Sequence, residues 1–162
     1  MLVRLIVAVV GRLKEGPERA LFERYRERFD ALGRRLGLAP VVWSEVGEGR
    51  ARDAKARRED EGVALSKQLR ECDYIIALDE RGRLLTSNAF AATLAKVRDD
   101  GTKCAGIVVG GPDGLSDNIL ALARLRISLG PMTLPHTLAR ILLAEQLYRA
   151  ATILGGHPYH RG

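Results

Sequence analysis

The chain has 162 residues, 46% hydrophobic and 28% charged, which excludes a disordered chain and suffices for one domain, residues 1–162, with a full core. Its 26 lysines and arginines against 20 acids give a formal charge of +6, which suits a polyanionic partner such as RNA but equally serves solubility. Two cysteines, Cys72 and Cys104, are too few for a disulfide framework and form no Cys-x-x-Cys pair, so a reducing compartment is expected.

Leu2–Val9 is rich in Val, Leu and Ile and predicts a buried strand. Arg4 inside the run, with no basic segment before it and no small-residue cleavage site after it, argues against a signal peptide. No stretch is long enough to span a bilayer, and a cytoplasmic protein is expected. Gly11 to Gly16 reads as a loop, and Pro17 opens a helix, where a proline costs nothing. Phe22, Tyr25, Phe29, Leu32 and Leu36 form its apolar face; the arginines between them form a solvated or RNA-facing one. Val41–Trp43 reads as a second strand. Gly47 to Glu61 holds no large apolar residue but carries Arg50, Arg52, Lys55, Arg57 and Arg58. It is expected as a mobile loop or an exposed helix start, and phosphate contact is a candidate role. Val63, Leu65 and Leu69 then resume a partly buried helix.

Tyr74–Leu78 predicts a short buried strand ending in Asp79-Glu80-Arg81-Gly82. Ser87 is the expected cap of a helix over Ala89–Val97. Cys104–Val109 is another buried strand, followed by a glycine-rich turn and a helix capped by Ser116. Leu125–Leu129 reads as the last strand and Thr133–Leu154 as the last helix. Strands alternating with helices predict an α/β fold: a mostly parallel sheet with helices on both faces.

Three segments carry candidate chemistry. Gly110-Gly111-Pro112-Asp113-Gly114 follows a buried strand, and bare backbone there lets a ligand approach closely. Open α/β sheets hold ligands beyond the carboxyl ends of their strands, although a tight turn needs the same residue types. The pattern is neither Gly-x-Gly-x-x-Gly nor a Walker loop, which disfavours a Rossmann nucleotide site. Gly130-Pro131-Met132-Thr133-Leu134-Pro135-His136 is stiffened by two prolines, and Met132 and Leu134 can flank a flat ring such as adenine. His136 reads by default as a histidine at a helix start. The last helix is apolar almost all round, which calls for burial on several sides and suggests a dimer interface. Its exceptions are Arg140, Glu145, Gln146 and Arg149, with Glu145 and Arg149 one turn apart in the favourable order. After Gly155-Gly156 comes His157-Pro158-Tyr159-His160-Arg161, a tail dense in proton donors and acceptors. His157 and His160 lack a third ligand, so no metal site is expected.

These segments together resemble the RlmH (YbeA) family of SPOUT-class methyltransferases, which modify pseudouridine at N3 in 23S, large-subunit, ribosomal RNA. The matching stretches are Leu78-Asp79 with Gly82, Gly110 through Leu115, Met132 through His136, Glu145 through Ala150, and His157 through Arg161. The likeness covers essentially the whole chain and is weakest between Gly11 and Gln68. It implies a C-terminal trefoil knot, which periodicity alone would not propose. It also implies a homodimer and S-adenosylmethionine as methyl donor. By carry-over the cofactor-binding residues are Leu78, Gly110, Gly111, Gly130, Pro131, Met132, Thr133, Leu134 and Pro135. Relatives often carry Ser and another non-proline residue where this chain has Gly130-Pro131. Pro131 has no N–H, so a cofactor hydrogen bond donated there must be absent.

The resemblance places the catalytic candidates in the tail and the final helix. An N3–H nucleophile attacks well once its proton leaves, so a base or anion-stabilising groups should help. His160 is the candidate base. Tyr159 would orient the substrate or stack on it, Arg161 would bind phosphate or a developing anion, and Glu145 would orient one of these groups. Three other functions remain open at this level: methyl transfer to a different RNA site, a ribosome-binding factor without catalysis, and a metal-dependent hydrolase, which the poor ligand set weakens.

Overall fold

The computed structural model describes residues 2–162. Five strands, β1 (Val3–Val10), β2 (Leu38–Val46), β3 (Tyr74–Leu84), β4 (Cys104–Val109) and β5 (Leu125–Ser128), form one sheet in the order β2-β1-β4-β3-β5. Every pairing in it is parallel. The helices are α1 (Pro17–Gly33), α2 (Ala54–Leu69), α3 (Ser87–Asp99), α4 (Asp117–Leu122) and α5 (His136–Leu154), with a 3-10 turn at Arg34–Leu36.

The sheet is covered on both faces, which is why its strands read as apolar runs rather than alternating ones. Val3, Leu5, Val7 and Val9 of β1 share one core with Phe29, Leu94 and Leu147 of α1, α3 and α5. Ala8 and Val10 face the other side and pack with Leu65 and Leu69 of α2 and Ile119 of α4. The parallel sheet with helices on both faces is therefore as expected, although β2 runs well beyond Val41–Trp43 at both ends. No helix among the described residues is long and apolar enough to cross a membrane.

Capping chemistry sets the helix starts. Asp53 accepts from the Ala56 N–H at 2.8 Å, so residues 54–61 of the charged segment are helix and not loop. Ser116 caps α4 as expected, accepting from the Ile119 N–H. Ser87 does not cap α3. Thr86 accepts from the Ala89 N–H at 3.0 Å, the helix begins one residue later, and the Ser87 hydroxyl instead donates to Gln146 at 2.7 Å. The last helix starts at His136, three residues after the expected position, because Pro135 occupies its N-cap in an extended conformation.

Strand β3 departs most from expectation. It continues past Leu78 to Leu84, and Leu78 and Arg83 both face Ile127 across a register shift. The residues between them bulge out of the ladder and the chain then rejoins β5. Gly82 permits this, since a Cβ there would lie 2.7 Å from the backbone of Arg126 and Ile127. Gly82→Ala must push two backbones apart and is expected to destabilise the protein by about 1–3 kcal/mol. Urea unfolding measures it; an unchanged midpoint would refute the close approach.

Candidate active site

The carboxyl ends of β3, β4 and β5 open into a cleft of about 600 Å³, within the range of cofactor sites. Leu78, Val109 and Ile127 line it from the three strands. One wall is the turn after β4. The Gly114 N–H donates to the Gly111 carbonyl at 3.0 Å, and a Cβ on Gly110 would meet the Gly114 backbone at 2.8 Å. The opposite wall is the segment after β5. Gly130 has φ 128, a conformation that favours glycine, and its N–H donates to the Ser128 hydroxyl at 3.1 Å. Gly130, Met132, Thr133 and Leu134 line the cleft; Pro131 and Pro135 belong to the same segment but are not among the lining residues. Leu78, Gly110 and Gly111 line it as expected.

Charged groups ring the cleft, among them Asp79, Glu80, Arg81, Asp113, Asp117 and Arg126. Arg57 of α2 donates to both carboxylate oxygens of Asp113, at 2.7 and 3.1 Å, and this holds the Asp113 carboxyl below its ordinary range. One arginine of the basic segment thus braces the glycine turn. Glu61 of α2 is buried beneath the same region. One oxygen accepts from the Gly49 N–H at 2.8 Å, the other has no partner among the described residues, and burial raises its pKa. The sequence marked Arg57 only as one candidate phosphate contact and gave Glu61 no role, because nothing local to either residue reports a contact with a distant turn.

Helix α5 begins at this cleft, where His136 and Ala139 line it. One turn on, Arg140 is only 2% exposed. It donates to Glu45 at the end of β2 at 2.5 Å and to the Gly11 carbonyl after β1 at 2.9 Å. Glu45 also accepts from the Leu13 N–H at 2.8 Å. Burial by itself would raise the Glu45 pKa, but the Leu13 N–H and the hydrogen bond and charge of Arg140 outweigh it and hold the carboxyl below its ordinary value.

The tail forms a second cluster. Arg149 donates to Glu145 at 2.8 and 2.6 Å, and the Tyr159 hydroxyl donates to the same carboxylate at 3.2 Å. The Tyr159 ring lies 4.7 Å from that of Tyr148 and under the Arg149 guanidinium at 4.8 Å. Burial, followed by the Glu145 charge, pushes the Tyr159 phenol up to about 12. Arg149 also lies 3.1 Å from His160 Nδ1. An arginine only donates, so Nδ1 accepts and the imidazole proton sits on Nε2, which is buried without a partner among the described residues. Tyr25 and Arg28 of α1 also approach Tyr148, and Tyr25 reaches Tyr159 as well. Both were read as ordinary helix positions, since an apolar face and a solvated one look the same with or without a tail packed beside them.

The structure therefore gathers Glu145, Tyr159 and His160, leaves Arg161 exposed, and sets none of the four beside the cleft of their own chain. The reason is length: α5 rises about 27 Å from His136 to Leu154 at 1.5 Å per residue. His157, also exposed, accepts from the Tyr159 N–H. Among the described residues no group of three or more His, Cys, Asp or Glu side chains is placed to hold a metal ion. Cys72 and Cys104 are both free, with their sulfurs 3.0 Å apart.

Comparison with known proteins places the chain among methyltransferases. A family model described as "Predicted SPOUT methyltransferase" matches residues 3–160. The chain is 51% identical over 159 residues to a Rhodopseudomonas palustris (strain BisB18) protein named ribosomal RNA large subunit methyltransferase H, covering 98% of this chain and 99% of that one. A Nitrobacter hamburgensis protein of the same name is 49% identical over 160 residues, covering 99% and 100%. Among solved structures, a probable methylase family protein from Haemophilus influenzae has a similar fold, at a TM-score of 0.55 and 13% identity, covering 100% of this chain and 72% of that one. A probable methyltransferase from Bordetella pertussis gives 0.51 at 16%, covering 92% and 95%. The chain belongs to the SPOUT methyltransferase family.

The Arg140–Glu45 pair yields a pH test. A depressed carboxyl contributes stability above the unfolded glutamate value of about 4.3 and loses it as pH falls through the lower folded value. Glu45→Gln is expected to be less stable than wild type at pH 7 and to lose less stability between pH 7 and pH 3. Urea unfolding at both pH values reads this; parallel losses in the two proteins would contradict the pairing.

Proposed function

We propose that the protein is a single-domain, S-adenosylmethionine-dependent methyltransferase that methylates N3 of a pseudouridine in 23S ribosomal RNA, acting in the cytoplasm as a homodimer. The observation that carries this reading is the match, over nearly the whole length of both chains, to proteins named ribosomal RNA large subunit methyltransferase H. The cleft fits the donor chemically. Leu78, Ile127, Met132 and Leu134 offer apolar contact to a flat base, and Asp79, Glu80 and Asp117 offer negative charge to a cationic ligand. Gly110 and Gly111 permit the tight turn that forms this wall, since a Cβ on either would meet Gly114 or Val10. When bound, the donor supplies an electrophilic methyl group on a sulfonium.

The chain's own residues must then bring the acceptor into line and exclude water. The tail is the acceptor-side candidate, through Tyr159, His160 and Arg161, with Glu145 and Arg149 holding the first two. Because the tail ends a helix that starts at the cleft, it serves the cleft of a second copy rather than its own. Exposed Leu138 and Leu142 on α5, with exposed Leu21 on the neighbouring α1, supply apolar surface for that pairing. In its present seat the imidazole offers the substrate neither nitrogen, since Nε2 is buried and Nδ1 accepts from Arg149; acting on the acceptor requires Arg149 to release Nδ1. The path of residues 129–136 across the ends of β3 and β4 fits the trefoil threading that the family resemblance implies.

Ending the chain after Leu154 is expected to abolish methyl transfer to large-subunit RNA lacking the mark, with donor affinity kept. His160→Ala is expected to lower turnover more than donor affinity. Single-turnover methylation and calorimetric titration with the donor measure both; normal transfer by the shortened chain would end the proposal.

A further inference from the structure

The turn after β4 is a wall of the cleft, yet its own residues fix its shape poorly. Gly110, Gly111 and Gly114 fill three of its five positions, and glycine gives up more backbone freedom on ordering than any other residue. The backbone bond that closes the turn runs from the Gly114 N–H to the Gly111 carbonyl at 3.0 Å and leaves Pro112 and Asp113 at the tip. Whatever holds Asp113 therefore sets where the tip stands in the cleft.

Arg57 holds it. Its Nε and Nη2 donate to the two Asp113 oxygens at 2.7 and 3.1 Å, a forked contact that fixes a carboxylate in direction as well as distance. Its Nη1 donates to the Ala51 and Arg52 carbonyls at 3.0 and 2.8 Å, so every guanidinium nitrogen is engaged. The backbone beneath it is held too. A Cβ on Gly49 would lie 2.7 Å from the Arg57 carbonyl oxygen, and the Gly49 N–H donates to Glu61, one turn along α2. With side chains 30% and 22% exposed, the Arg57–Asp113 pair is forked and sheltered, unlike the open surface pairs that contribute little. We propose that Arg57 is a positioning residue for the methyl donor, holding the Gly110–Gly114 turn through Asp113 in the shape that seats the donor; this rests on the methyl-transfer reading above. A guanidinium so occupied has little left for an RNA phosphate, the role that its place in a basic run suggested.

The reaction product is the clean probe. Arg57→Gln leaves the Asp113 charge unbalanced in the cleft, where it attracts the sulfonium of the donor. S-adenosylhomocysteine has a neutral sulfur, so its affinity reads the shape of the wall. The full-length protein is titrated with it calorimetrically as wild type, Arg57→Gln, Asp113→Ala and the double variant, with urea unfolding to check that each is folded. Each single change should weaken binding about five- to tenfold, the effect of losing a charge-assisted hydrogen-bonded pair. The double variant should lose no more than either single one, because both remove the same contact. KM for large-subunit RNA at saturating donor should stay at its wild-type value in Arg57→Gln. Wild-type product affinity in Arg57→Gln overturns the assignment, as do losses that multiply in the double variant. A raised KM for RNA with product affinity intact also overturns it, because Arg57 is then a phosphate contact. If Arg57→Gln fails to fold, Asp113→Ala breaks the same pair from the turn side, and wild-type product affinity in that variant overturns the assignment by itself. Failure of the native protein to bind donor or product sinks the methyl-transfer reading instead.

Discussion

The fold turns on one ion pair. Arg140 carries a full charge into the interior, where it is 2% exposed, and Glu45 and the Gly11 carbonyl receive it. Removing one partner of a buried pair commonly costs about 3–5 kcal/mol, because the other charge stays buried alone; the 39% exposure of the Glu45 side chain softens that figure here. The value of the pair lies in what it joins: the end of β1, the end of β2 and the second turn of α5. β5 lies at the opposite edge of the sheet from β2. To deliver Arg140 to its partners, the chain leaving β5 must cross the strand ends, and the crossing segment becomes a wall of the cleft. Gly11 closes the same junction. Its φ of 95 favours glycine, and a Cβ there would stand 3.3 Å from His136 Nε2.

The second constraint is the length of α5. A straight helix of 19 residues with the cleft at its first turn cannot return its own tail to that cleft. The tail is nonetheless tied down, through Arg149, Glu145, Tyr148 and Tyr159, as a segment held for use would be. Leu138 and Leu142 remain exposed on the same helix, so under the proposed pairing one element would offer both the association surface and the groups delivered by it. The proposed function treats cleft and tail as two halves of a site completed between copies.

Much of this was legible in the sequence. The five strands stood out because parallel strands covered on both faces are continuous runs of Val, Ile, Leu and Ala. The turn at Gly110–Gly114 and the segment at Gly130–Leu134 stood out because close approach and positive φ demand glycine. What stayed hidden depends on contacts between residues far apart in the chain. Arg140 looked like one polar interruption of a greasy helix, while its partners lie 95 and 129 residues away. Arg57 looked like one charge in a basic run, and its partner Asp113 lies 56 residues on. Gly82 was read as ending a strand, although it lets the strand continue against β5. Thr86 and Ser87 are both good capping types, and only the position of α3 against Gln146 separates them.

The most direct measurement mixes two crippled chains. One ends after Leu154 and lacks the tail; the other carries Thr133→Trp, which fills the cleft from an exposed position. Each alone should be inactive. Once mixed and allowed to exchange subunits, they should regain methyl transfer, because a mixed dimer pairs one intact cleft with one intact tail. Mixed dimers that form and bind the methyl donor yet transfer nothing would contradict a site shared between copies.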